Sequence, residues 1–365
     1  MRRRDFLAAS AAAAALIAVP RPGRAAVVFD PQPGPWRAFA VTNRLDVRRD
    51  GAGGLVQAWV PLPSIEEPDW MLPEGDDWSG NATTAEVYTD PASGAKLLHA
   101  TFAADVADPS LVVTSRFRTR DRGNLLDAAG APPLPDAARA TYLAATDLLP
   151  TDGIVKETAD RITAGADGDA ATARAIYEWV VENTERVAET RGCGLGDVAT
   201  MLESGNLGGK CADLNALYVA LARASGIPAR DLYGVRVAPS AFGYKSLGAG
   251  SATITKSQHC RAEVYLDGPG WVPVDPADVR KVVLEEPPGN NALDSEAVVA
   301  ARAALFGAWE GNWLALNDAH DLVLPGSDHK LAFLMYPQAE VAGSLLDCLS
   351  PDTFAYVIES AETAA

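Results

Sequence analysis

The chain has 365 residues, 48% of them hydrophobic, which is ample to bury a core without metal or disulfide staples and favours one large domain plus a smaller one. Its 48 acidic and 31 basic side chains give a formal net charge of −17. A field of that sign repels phosphate backbones and anionic lipid, so nucleic-acid binding is not expected and a neutral or cationic substrate is the easier partner.

Residues 1–26 read as an export signal. Arg2, Arg3 and Arg4 precede Asp5-Phe6-Leu7, an Ala-rich apolar run extends to Val19, and a Pro/Gly segment leads to Arg24-Ala25-Ala26. Twin arginine before Phe-Leu looks like the address of folded exported proteins. The run from Ala8 to Val19 is shorter than the roughly 20 residues of a spanning helix. Cleavage is therefore expected, giving a periplasmic or secreted protein without stable membrane insertion. It would remove five arginines against one aspartate and take the net charge from −17 to −21.

Residues 35–122 predict a small N-terminal β domain. Short β-type runs at Phe39 to Thr42, Leu55 to Val60, Ala85 to Tyr88, Lys96 to Phe102 and Leu111 to Phe117 are separated by Gly, Pro, Asn and Asp. Residues 123–150, with Pro132-Pro133, read as a linker. Residues 151–365 form a second domain with C-terminal strands. Its first helix starts after Asp152, and a second places Ile176, Trp179 and Val180 at helical spacing, with Trp179 in the core. A third begins near Cys211, buries Leu214, Leu217, Tyr218 and Leu221, and ends at Gly226.

Two strands follow, Asp231 to Val237 and Arg261 to Leu266, and a third around Trp271 to Val274 is joined to the second through Asp267-Gly268-Pro269-Gly270. The Gly- and Ser-rich segment from Ala238 to Lys256 reads as a loop bordering a cleft. A Pro-rich turn after Val279, a helix near Ser295 to Phe306, and strands at Trp313 to Leu316, Leu331 to Tyr336 and Phe354 to Ile358 complete the chain. The class is α+β, helices packed on an antiparallel sheet behind a β domain.

Three residues carry the chemistry. Cys211, in the first turn of a helix, is the candidate nucleophile: unpaired N–H groups at a helix start favour the thiolate, and Gly208-Gly209 lets the chain approach without Cβ crowding. The Cys211 N–H is the first candidate donor to an oxyanion. His259, near one strand start, is the candidate base. Asp275, at the next strand's end, would fix the imidazole tautomer and leave the other ring nitrogen for sulfur, and Pro276 then stops the strand. The same three side chains could chemically hold zinc, but nothing nearby in sequence supplies groups to orient them as ligands, and no cofactor is expected.

Gly209-Lys-Cys211-Ala-Asp-Leu-Asn-Ala-Leu, Ser225-Gly-Ile-Pro-Ala-Arg230, Gly234, His259 with Glu263 and Val264, and Gly270-Trp-Val-Pro-Val-Asp275-Pro276 resemble the bacterial transglutaminase-like family over roughly Tyr142 to Pro325. The resemblance implies a transglutaminase-like, papain-like core with Cys211, His259 and Asp275 as its triad. The segments Gly311-Asn-Trp-Leu-Ala-Leu and His320-Asp321-Leu-Val-Leu-Pro325 also resemble that family, with Asp321 taken as structural.

Where many members carry Ala-Trp after the histidine, this chain has Cys260-Arg261, which puts in doubt any role of that tryptophan in lining the cleft. Strand alternation turns Cys260 away from the site. A Cys211–Cys260 disulfide that switches the enzyme off is the competing expectation. With Cys211 reduced, at most one pair, such as Cys193 with Cys348, remains. The expected function is an exported cysteine enzyme that forms a thioester with a protein, peptide or small amide and passes the acyl group to water or an amine. The alternative is a non-catalytic binding or scaffold protein that keeps the fold.

Overall fold

The computed structural model describes residues 28–48 and 54–364, so the expected export signal at 1–26 lies outside the described residues. Six strands come first: β1 (Arg37–Asp46), β2 (Val56–Leu62), β3 (Met71–Gly80), β4 (Thr84–Thr89), β5 (Lys96–Phe102) and β6 (Ser110–Thr119). A helical run follows: α1 (Asp136–Leu143), α2 (Gly153–Ile162), α3 (Asp169–Asn183), the short β7 (Glu185–Arg186), α4 (Val198–Ser204), the short β8 (Gly208–Gly209) and α5 (Cys211–Ala224). Then come β9 (Ala229–Arg236), β10 (Gln258–Leu266), β11 (Gly270–Val274), α6 (Pro276–Glu285), α7 (Glu296–Ala304) and β12 (Trp313–Asn317). The last strands are β13 (His320–Val323), β14 (Lys330–Phe333), β15 (Gln338–Val341), β16 (Ser344–Leu345) and β17 (Ala355–Thr363).

The mixed class is the expected one: α5 packs on an antiparallel sheet ordered β11-β10-β9-β12, behind a β region. Every residue of α5 is buried, as in a helix enclosed on all sides by its domain. Its buried polar side chains have partners. Arg223 donates to the carbonyls of Ala229 and Ala144, and Asp213 accepts from the N–H groups of Leu195, Gly196 and Lys210. The Asp213 carboxylate folds back over Gly209, where an added Cβ would lie 2.4 Å from Asp213 Oδ2. The glycine before Lys210-Cys211 is thus a condition for seating the start of this helix.

The β region is two sheets, ordered β17-β1-β6-β3 and β16-β15-β2-β5-β4, with Leu45, Val60, Leu98, Phe102 and Val113 in the core they share. Here the expected division of the chain needs correcting. The C-terminal strands were assigned to the second domain, but β17 pairs antiparallel with β1 from Ala38–Thr363 to Asp46–Ala355, and β15 pairs with β2. Strand pairing across three hundred residues leaves no local signature. Three further elements depart from expectation. β3 completes one sheet, α1 forms inside the expected linker 123–150, and Pro276, read as a strand stop, begins α6. Proline is preorganised for the first helical position, where its missing N–H costs nothing.

Candidate active site

Cys211, His259 and Asp275 line or back one cavity of about 610 Å³, the first two directly. Cys211 is the first residue of α5, so its sulfur sits at the positive end of the helix dipole. His259 is the second residue of β10 and pairs across to Gly234. The β10–β11 register sets Ala262 opposite Val274, so Asp275 continues opposite Arg261, two residues from His259 and on its side of the strand. His259 Nε2 and Asp275 Oδ2 are 2.7 Å apart, and both residues are buried. That bond leaves Nδ1 as the ring nitrogen free to serve the thiol.

The carboxylate is held from several directions. Asp275 caps α6 by accepting from the Asp278 N–H at 3.0 Å, and Asn215, one turn into α5, reaches Asp275 Oδ1 at 3.4 Å while donating to the Cys260 carbonyl at 2.8 Å. Arg261 Nε stands 3.7 Å from Asp275 Oδ2, and its guanidinium lies over Trp309 and Trp313 at 5.0 and 4.8 Å. The Trp313 Nε1–H donates to the His259 carbonyl at 3.0 Å. Indoles from a later part of the chain therefore pack beneath the Arg261 guanidinium.

Sequence reasoning missed a second carboxylate on the ring. Asp278 Oδ1 lies 3.3 Å from His259 Nε2 and is paired with Arg236. Asp275-Pro-Ala-Asp278 is a helix-start pattern that could have pointed to it. Burial and Arg236 push the imidazole down, but Asp278 and Asp275 outweigh them and hold it at about 9. Burial opposes ionisation of Asp278, yet Arg236 and the imidazole keep it well below the usual carboxylate range.

Sequence reasoning also misplaced two thiols. The sulfurs of Cys193, Cys211 and Cys260 all lie within 4.8 Å of one another. Alternation along β10 had turned Cys260 away. His259 and Cys260 follow one another on β10, and both come close to the Cys211 sulfur. All four cysteines are free thiols. Hydrogen bonds from Cys193 and then Cys260 do most to hold Cys211 well below the ordinary thiol range, against its burial, and His259 adds both a hydrogen bond and its charge. Replacing Cys193 by Ala removes the larger contribution. The midpoint of the pH dependence of Cys211 alkylation by iodoacetamide is expected to move upward; an unmoved midpoint would show that the neighbouring thiol does not tune the sulfur.

Two sets of side chains have metal-ligand spacing among the described residues: the three thiols, and His259 with Asp275 and Asp278. The second set already faces Arg236 and Arg261, whose charges oppose a cation. The Cys211–His259–Asp275 combination weighed from sequence is neither set. Asp321 accepts from the Asp147 N–H at 3.0 Å, away from the thiol cavity. A second cavity, about 650 Å³ and lined by Trp70, Arg122, Tyr265 and Trp271, has no cysteine, serine or histidine in its described lining.

One amide at the thiol can donate to a developing oxyanion. The Cys211 amide has no hydrogen-bond partner among the described residues, while the next amide, of Ala212, donates to the Cys193 carbonyl. Gln258 Nε2 is buried, has no partner among the described residues, and belongs to a residue lining the same cavity.

The transglutaminase-like superfamily profile matches residues 156–276, a span that contains all three candidate residues. A Haemophilus influenzae (strain Rd) protein described as uncharacterized is 39% identical over 322 residues, covering 84% of this chain and 86% of that one. Among solved structures, a proposed cysteine protease from Cytophaga hutchinsonii is similar at 14% identity with a TM-score of 0.50, over 90% of this chain and 99% of that one. The periplasmic domain of TgpA from Pseudomonas aeruginosa aligns at 16% identity with a TM-score of 0.34, over 68% of this chain and 88% of that one. No helix among the described residues is long and apolar enough to cross a membrane.

Proposed function

Because the chain belongs to the transglutaminase-like superfamily, we propose that it is an exported cysteine enzyme that cleaves an amide through a thioester on Cys211. The observation that carries this reading is the ring of His259, held by Asp275 at 2.7 Å, beside a thiol well below its ordinary range at a helix start. The Cys211 thiolate attacks the acyl carbon and forms the C–S bond, while the oxyanion is met by the Cys211 N–H. The imidazolium gives its proton to the leaving amine as the C–N bond breaks. His259 then takes a proton from the acyl acceptor as it attacks the thioester, and the departing thiolate is restored.

Asp275 orients the ring, and Asp278 adds charge that favours the imidazolium. Water is the favoured acceptor. An amine would use the same intermediate and make the protein a transamidase. Residues 1–26 would direct it across the membrane as a folded protein.

Mass spectrometry of the wild-type protein mixed with periplasmic extract tests this: an acyl adduct on Cys211 is expected, released by hydroxylamine and absent from Cys211→Ala. A thiol that alkylates with an ordinary high pKa, and no adduct from any amide, would instead support the non-catalytic scaffold.

A further inference from the structure

The cavity over Cys211 has a charge opposite to that of the chain. Its lining includes Arg186, Arg191, Lys210, Arg236, Lys256 and Lys281, and no Asp or Glu among its described residues, in a sequence with 48 acidic and 31 basic side chains. Some of this charge is compensated from behind the lining. Arg236 is paired with Asp278, Arg186 and Lys281 share Glu285, and Arg191 reaches Asp347. Lys210 and Lys256 have no carboxylate partner among the described residues.

These two lysines flank the chemistry in sequence, one immediately before Cys211 and the other three residues before His259. Burial and then the neighbouring Arg236 push the Lys281 ammonium down to about 8, as crowding of cations would. Leu349, Phe354 and Tyr356 supply an apolar part of the lining.

We propose that the acyl donor is an acidic peptide, whose carboxylates beside the scissile carbonyl are met by Lys210 and Lys256 while its apolar side chains rest on Leu349 and Phe354. This rests on the reading of Cys211 as the acylated nucleophile. The whole-chain charge favours cations at long range. Within the cleft, low-dielectric walls make the local cations decisive over that more distant field.

The test uses the full mature chain and three blocked hexapeptide pools that differ only in carrying Glu, Ser or Lys around the central residues. Protection of Cys211 against iodoacetamide, followed by mass spectrometry, reads binding without requiring turnover. The Glu pool is expected to protect at roughly tenfold lower concentration than the Lys pool at low salt, and Lys210→Gln with Lys256→Gln to abolish that difference.

A second readout is the ratio of iodoacetate to iodoacetamide alkylation rates at Cys211. Any change in thiolate fraction cancels in this ratio, and it is expected to fall several-fold in the double variant. Equal or better protection by the Lys pool, or an unchanged ratio, overturns the proposal. Protection by the Glu pool without a thioester or product refutes the enzyme reading alone, and turnover of all three pools at equal kcat/KM refutes the acidic donor alone.

Discussion

Cys211→Ala is expected to abolish turnover, with kcat/KM falling by at least about 10³-fold, and His259→Ala to fall comparably, because each removes a member of a unit that acts together. Neither substitution should unfold the protein. Cys211 loses one sulfur from a small thiol cluster, and Asn215, Arg236 and the α6 cap hold the surroundings in place without it. Asp275→Asn gives a finer test. The amide can still cap α6 and still occupies the same volume, but it cannot supply the charge that favours the imidazolium, so the fold should persist while kcat drops far more than KM rises. Circular dichroism and urea unfolding distinguish loss of chemistry from loss of structure. A folded Cys211→Ala protein that keeps its activity would remove the thiol from the mechanism.

The pH profile carries the second large effect. With His259 held at about 9 and the Cys211 thiol well below its usual range, neutral solution contains the thiolate–imidazolium pair in place of neutral thiol and ring. The kcat/KM profile should rise through the thiol's ionisation below neutrality, stay level, and fall with a midpoint near 9 as the ring loses the proton needed by the leaving amine. Asp278→Asn removes one of the carboxylates that raise the ring and should move this basic limb to lower pH. A basic limb near 6.5 in the wild type would contradict the ion pair.

Stability follows the same sign. A histidine raised from 6.5 to about 9 on folding stabilises the native state fully below about 6.5, and that contribution, on the order of 3 kcal/mol, is lost as pH rises through about 9. Urea midpoints measured at pH 6 and pH 9.5 would register the loss.

The site was legible in the sequence to the extent that its parts are local. Cys211 at a helix start, His259 at a strand start and Asp275 beyond a short hairpin are each fixed by elements whose periodicity and turn residues can be read directly. The groups that tune them were not. Cys193 comes from a Gly-rich loop before α4, Arg236 from the end of β9, and Trp313 from β12. What joins them is packing onto α5 and β10, which leaves no spacing pattern. Asp278 is different: it was one helical turn from Asp275, and reading Pro276 as a stop in place of a first helical residue hid it. Cys260 was misplaced because strand alternation alone does not show that Cys193 and the start of α5 pack around it. The β domain was legible in its individual strands, but the sheets close only with strands from the far end of the chain.

That closure bears on the newborn protein. The lining of the thiol cavity includes Cys348, Leu349, Phe354 and Tyr356, and β17 can settle beside β1 only after residues 355–363 have left the ribosome. A chain made only as far as Asp275 would already contain Cys211 and His259 yet lack a wall to grip a peptide against them. With Cys211 as the proposed nucleophile, the order of translation acts as a safety catch, since the cleft closes only when β17 docks.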